Sequence, residues 1–334
     1  MTFPHLTRRI AVAAIAALGL GLSACGGDDA ATTGGTPSEI TFSILSAESQ
    51  AAAGPLWEPL LEDMETAIGV PVEPFFGSNY TVLVEAMRGN QTQVAWFSAK
   101  PAVEAIDRAD AEVIARTVDI EGRDSYQSTL IVKAGSGITL NDVLACGKRY
   151  DFGIGDAQST SGTLAPMAFL FNPRGIVPAE CFRTVRAANH QANAFAVASG
   201  TVQVATSNTV NTVFLQRQNP QIAEQIEEIW QSPPIPESGI IVREDLDPAL
   251  KEKIRAFFLT YGQGEGAEAE RQRGVLRGLN YSQFRAADDS YLDPVREMVA
   301  DQALSQARAA GDAAAITRAE ESLAALRAKR EVQP

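Results

Sequence analysis

An α/β protein of two lobes joined by a hinge that the chain crosses twice is what this 334-residue sequence predicts, on three observations. Apolar runs of period two alternate with runs of helical period, the pattern of sheets covered by helices. The alternation breaks at Gly135-Ser136-Gly137 and again at Pro233, Pro234 and Pro236, and restarts each time. The length past the leader suits about two domains.

The elements follow in order. Arg8 and Arg9 precede an apolar run from Ile10 to Leu22 that ends in Ser23, Ala24 and Cys25. The run is too short to span a bilayer, so residues 1–24 read as a signal peptide. Small residues before a cysteine resemble the lipobox of bacterial lipoproteins. Cys25 is then the lipidated N-terminus and residues 25–38 a flexible tether, against the alternative of a plain secretory peptide with an incidental cysteine. Past residue 38 no stretch reaches the length of a membrane span, and a soluble globular chain is expected.

Ile40, Phe42 and Ile44 alternate as in a strand, and Trp57, Leu60, Leu61, Met64 and Ile68 follow at helical spacing up to Gly69. Val70 to Phe76 is the next strand, Asn79 caps a helix ending near Gly89, Gln93 to Phe97 is a strand, and Pro101 opens another helix. This rhythm predicts a parallel, covered sheet. A strand over Ser128 to Val132 closes a first lobe, residues 39–133. The second lobe, 134–234, repeats the rhythm: strand Asp151 to Ile154, helix from about Thr160, strand Phe182 to Val185, helix from about Asn189, strand Val202 to Thr206. Gly239 to Val242 returns to the first lobe as a strand, and a helix from Pro248 to Thr260 follows, so 235–294 completes it. Residues 295–334 are a helical tail, alanine-rich and charged, which either stays solvated or pairs with a second copy to give a dimer.

Composition narrows the function. The formal charge of −13 becomes more negative once the leader's two arginines are removed, which excludes nucleic acid as a partner. An anion bound by such a chain has to be held by local hydrogen-bond donors and helix ends, since the long-range field repels it. His5 leaves with the leader and His190 stands alone, so no histidine-built metal site is expected, and no cofactor-binding or nucleophile-elbow motif is present. Cys146 and Cys181 lie in a chain bound for an oxidising compartment and are expected to form a disulfide, with two separate buried thiols as the alternative.

The stretch Phe152-Gly153-Ile154-Gly155-Asp156-Ala157-Gln158-Ser159-Thr160-Ser161-Gly162-Thr163 runs from a strand into hydroxyls that open a helix. The first N–H groups of a helix lack internal partners and its dipole favours negative charge, so hydroxyls and a glycine there suit an oxyanion. Simple N-capping by one hydroxyl is the competing reading.

Together with Ala47-Glu48-Ser49-Gln50, Phe75-Phe76-Gly77-Ser78-Asn79-Tyr80, Val94-Ala95-Trp96-Phe97, Asn189-His190-Gln191-Ala192-Asn193-Ala194 and Val204-Ala205-Thr206-Ser207-Asn208-Thr209, this stretch resembles the substrate-binding proteins of phosphonate and phosphite ABC importers, from about Ile40 to Asp293. The resemblance implies a type II periplasmic-binding fold, no catalysis, no cofactor, and a permease with its ATPase as partners. It further implies Ser159, Thr160 and Ser161 around the oxyanion, Tyr80 facing them across the cleft, Phe97 as an aromatic wall where relatives carry tyrosine, and His190, Gln191 and Asn208 nearby. Relatives that bind aminoalkylphosphonates carry carboxylates where Gln191 and Val210 stand, so a ligand without an amine is expected here: phosphite, methylphosphonate, hypophosphite or phosphate. Two other classes stay open. A hydrolase using Ser159 or Ser161 with His190 lacks an evident third orienting group; an anchored sensor of the same fold cannot be separated from an importer by sequence.

Overall fold

The computed structural model describes residues 37–332, so the expectations for the leader, Cys25 and the tether up to residue 36 lie outside it. In chain order its strands are β1 (Ile40–Ile44), β2 (Val72–Phe76), β3 (Val94–Phe97), β4 (Ala111–Asp119), β5 (Ser125–Tyr126), β6 (Ser128–Lys133), β7 (Asp151–Ile154), β8 (Thr184–Ala187), β9 (Val204–Asn208), β10 (Ile226–Gln231), β11 (Ile235–Pro236), β12 (Gly239–Arg243) and β13 (Tyr281–Ala286).

Two sheets share one plan. In the first the order is β2-β1-β3-β12-β4-β13, in the second β8-β7-β9-β6-β10. Each begins with parallel β-α-β units, β1 beside β2 and β3, β7 beside β8 and β9. Each then accepts an antiparallel strand that has just crossed from the other lobe, β12 against β3 and β6 against β9. The sheets are therefore mixed rather than purely parallel, because the crossing strand enters from the opposite direction.

The two crossings pair with each other. Tyr126 of β5 stands opposite Ile235 of β11, and Ser125 opposite Pro236, so the hinge is a short two-stranded ribbon. The first crossing thus precedes β6, and the boundary expected after Lys133 is corrected to the segment around Ser125. The strand pattern of Ser128–Val132 could not say which sheet it joins, and Gly135-Ser136-Gly137 is only the turn leaving that strand.

Alternation along the strands divides each lobe into two apolar layers. On one face of the first sheet Phe42, Trp57, Ile254 and Phe258 meet; on the other Tyr80, Leu83, Ala95 and Phe97 do. In the second lobe Phe152 stacks on Phe182 at 4.2 Å while Phe171 meets both edge-on. A disulfide joins Cys146 to Cys181 in that lobe. The tail is two helices, Asp293–Ala310 and Ala313–Val332, turned at Gly311, whose φ of 68° is one that glycine adopts without strain. Ala300, Leu304, Ala319 and Leu323 pack together within this hairpin, so the apolar positions that suggested a dimer have partners inside the chain.

Candidate functional site

A cavity of about 50 Å³ lies between the lobes, and residues at the starts of helices surround it. Ser98 precedes the helix Ala99–Ala109, and Tyr80 is the first residue of Tyr80–Arg88. From the second lobe come Ser159, which precedes the helical segment that begins at Thr160, His190, which opens His190–Ala198, and Asn208, which precedes Thr209–Gln218. Glu48 stands just before Ser49, the cap of Gln50–Ile68. Helix N-termini carry partial positive charge, so their gathering favours an anion although the chain is acidic.

The loop after β7 owes its shape to two glycines. Gly155 N–H donates to the Gly162 carbonyl at 2.9 Å, and a Cβ on Gly155 would lie 2.4 Å from Gly162 Cα, so neither position has room for a side chain. The segment Thr160–Leu164 is wound as a π-helix, a form often associated with functional sites. Ser159 Oγ accepts from Gly162 N–H at 2.9 Å, which is the capping role; its own hydroxyl is left to donate and has the Tyr80 phenol of the opposite lobe in reach.

Ser161 is the centre of the donor cluster. Its Oγ accepts from Asn208 Nδ2 at 3.0 Å and lies 3.2 Å from His190 Nε2. With the proton of the neutral imidazole on Nε2, both lone pairs of Ser161 are engaged and its O–H is left to donate, with the Tyr126 phenol of the cavity wall in reach. Burial holds His190 neutral, pushing it down from 6.5 to about 4. His190 thus acts as a neutral partner of Ser161, and its Nδ1 is buried without a partner among the described residues.

Other expected residues sit elsewhere. Thr160 does not line the cavity. Its Oγ1 accepts from Lys100 N–H at 2.8 Å and lies 3.2 Å from Ser98 Oγ, which ties the lobes together. Phe97 is fully buried in the first lobe, because strand alternation turns it beneath the helices and brings Trp96 to the cavity instead. Gln191 lies outside the lining as well, where its Oε1 accepts from Ser49 N–H of the opposite lobe at 3.1 Å. Val210 lines the cavity.

Sequence reasoning gave no role to Tyr126, Tyr281, Glu48 or Glu237, all of which line the cavity. Burial pushes both glutamates up from 4.5 to about 7, and raises Tyr80, Tyr126 and Tyr281 so that they stay protonated donors at neutral pH. Glu237 Oε2 accepts from Ser238 N–H at 3.1 Å and from the Thr117 hydroxyl at 3.3 Å. Glu48 belongs to the stretch Ala47-Glu48-Ser49-Gln50, but nothing local in the sequence says that its carboxylate turns inward. Among the described residues, no group of histidines, cysteines and carboxylates suited to a metal ion is present.

Comparison with known proteins completes the description. Residues 42–292 match the family model described as ABC transporter, phosphonate, periplasmic substrate-binding protein. The phosphonates-binding periplasmic protein of Escherichia coli is 40% identical over 260 residues, covering 78% of this chain and 75% of that protein. A binding protein component of an ABC phosphonate transporter from Pseudomonas aeruginosa has a crystal structure that superposes with a TM-score of 0.82 at 37% identity, covering 88% of this chain and 99% of that one. The structure of PhnD1 from Prochlorococcus marinus in complex with methylphosphonate has a TM-score of 0.69 at 19% identity, covering 79% and 97%; at that identity the likeness concerns the fold.

Proposed function

The chain belongs to the family of periplasmic phosphonate-binding proteins of ABC transporters, and on that premise we propose that it holds a small phosphorus oxyanion in the cavity between its lobes. It is the substrate-binding component of an importer and not an enzyme. Its partners are a permease and an ATPase. The ligand's oxygens are taken by the hydroxyls of Ser159, Ser161 and Tyr80. Asn208 and His190 fix Ser161, and Thr160 and Gln191 hold the lobes together instead of touching ligand. The observation that carries this reading is the convergence of helix starts from both lobes on one cavity of about 50 Å³. A void of that size holds a few water-sized groups, which suits phosphite or methylphosphonate better than a nucleotide.

Apolar Val210 in the lining favours a ligand without an amine, as expected from the sequence, whereas Gln191, outside the lining, does not bear on the choice. Calorimetric titration of the mature protein with phosphite, methylphosphonate, phosphate and 2-aminoethylphosphonate tests this. Binding of one of the first three at micromolar strength or better, with the amine much weaker, is expected. Preference for the amine removes the Val210 argument, and absence of binding by all four removes the assignment of the cavity.

Two finer proposals concern location and assembly. Cys25 carries a lipid that keeps the protein at the membrane surface, so Cys25→Ala should release it to the soluble fraction. Because the tail hairpin is packed within the chain, sedimentation should give a monomer.

A further inference from the structure

We propose that Glu48 and Glu237 enter ligand recognition as protonated carboxylic acids that donate hydrogen bonds into the cavity, so that capture of an oxyanion draws protons onto the protein. The inference rests on the reading of the cavity as an oxyanion site.

Its ground is the charge inventory. Among the described residues the lining contains no lysine and no arginine, its one histidine is buried and neutral, and two carboxylates complete the wall. An anion there meets hydroxyl donors and helix ends, but also two acids that repel it if ionised. In a site shielded from water that repulsion is poorly screened, and protonating the acids turns each from a repelling charge into a donor.

The groups facing each glutamate leave that route open. Tyr80 and Tyr281 feel the charge of Glu48, and neither can neutralise it. Around Glu237 stand the Thr117 hydroxyl, Ser238 N–H, the phenols of Tyr126, Tyr281 and Tyr291, and the charges of Asp119 and Arg123. Arg123 is engaged by the Asp119 carboxylate, with Nε to Oδ2 at 2.8 Å. Lys100 lies behind the donor loop, where its ammonium donates to the Ala157 carbonyl at 2.6 Å and feels Glu104 and Asp156. Neither cation is in the lining. Both glutamates already stand near neutrality in the empty cavity, and an arriving anion moves them further toward the protonated form.

The competing use of two cavity carboxylates is to pair, ionised, with a cationic group on the ligand, and proton linkage separates the two by sign. Methylphosphonate is titrated into the mature protein and into Glu48→Gln, Glu237→Gln and the double variant, between about pH 6.5 and 8.5, in buffers of different ionisation enthalpy. The same ligand is used throughout, so protons taken up by the ligand itself cancel between proteins. The wild type should take up about one proton more per ligand than the double variant near neutral pH, and its affinity should fall about tenfold more per pH unit for each proton linked. The double variant, whose amides donate at every pH, should bind at pH 8.5 more tightly than the wild type. Circular dichroism and the two single variants show that a loss of linkage is not a loss of fold. Equal proton uptake by wild type and double variant overturns the proposal. So does tighter binding of 2-aminoethylphosphonate with release of protons, which makes the carboxylates ammonium partners. If the wild type binds none of the oxyanions at any pH, the oxyanion reading fails and the inference with it.

Discussion

Ser161 is the residue on which the cavity turns, since its oxygen accepts from Asn208 and lies in reach of His190 while its hydrogen is left to donate, to the Tyr126 phenol or to the ligand. Ser161→Ala removes that donor and leaves Asn208 Nδ2 and His190 without their acceptor. A buried group left unsatisfied costs about 1 to 3 kcal/mol, so affinity for the oxyanion should fall roughly 5- to 150-fold with the helical content unchanged. A titration in which the alanine variant binds within twofold of the wild type removes Ser161 from the site. The residues around Ser161 were legible in the sequence because helix-start chemistry is local: glycine, hydroxyls and a preceding strand lie within one short segment. What was not legible depended on facing. Phe97 and Trp96 are neighbours in the same strand, and one step of alternation decides that tryptophan, not phenylalanine, reaches the cavity. Thr160, between two serines that line the cavity, turns to the Lys100 backbone instead. Glu48 and Glu237 were invisible because only the assembled cavity brings them together.

Among the elements, the disulfide gives the firmest prediction. It joins Cys146, past the short helix Leu140–Leu144, to Cys181 at the end of Pro178–Cys181, across a separation of 35 residues. Closing a loop of that length restricts the unfolded chain by about 4 kcal/mol in the entropy model. Cys146→Ser with Cys181→Ser should lower unfolding stability by up to that amount while phosphonate affinity stays within a few-fold, because neither cysteine borders the cavity. Equal denaturation midpoints for the variant and the oxidised wild type would show that the bond does not constrain the unfolded state. Elements with a clear period, such as β1, β7 and the helix Pro248–Thr260, were readable from sequence. Membership was not: β6 has the strand pattern expected for Ser128–Val132, yet it pairs with β9 and β10 of the second lobe. Pairing depends on a partner some seventy residues on or more, which no local pattern encodes. The helical character of the tail is readable from its composition, and the break in it is carried by Gly311 followed by Asp312, which caps Ala315 N–H at 3.0 Å.

For the whole molecule, binding and stability are coupled through the contacts between the lobes. Gln191 to Ser49, Tyr80 N–H to Asp156 and Lys100 N–H to Thr160 all bridge the first lobe to the second. A ligand that binds only this folded state stabilises it by mass action, by about 2.7 kcal/mol at a hundred times its Kd, so methylphosphonate should raise the melting temperature. Gln191→Ala, which removes one bridging hydrogen bond near the surface, should weaken affinity by about 0.5 to 1.5 kcal/mol without changing the ranking of ligands. A changed ranking would place Gln191 against the ligand instead. The unliganded protein has its own pH dependence, and two buried groups oppose each other in it. His190, lowered from 6.5 to about 4, adds stability that is complete above pH 6.5 and is lost as pH falls through 4. Glu237, raised from 4.5 to about 7, adds stability that is complete below pH 4.5 and is lost as pH rises through 7, and Glu48 acts in the same direction. With two acids against one imidazole, stability of the empty protein should decline from about pH 5.5 to pH 8 and level off beyond. Glu237→Gln keeps an oxygen for Ser238 and Thr117 but carries no charge. It should therefore be the more stable protein at pH 8, by up to about 3 kcal/mol, and match the wild type near pH 4. Denaturant titrations at both pH values decide it: a variant less stable than the wild type at pH 8 would mean that Glu237 is held as an ion by the fold, and that the cavity meets its ligand with a fixed negative charge.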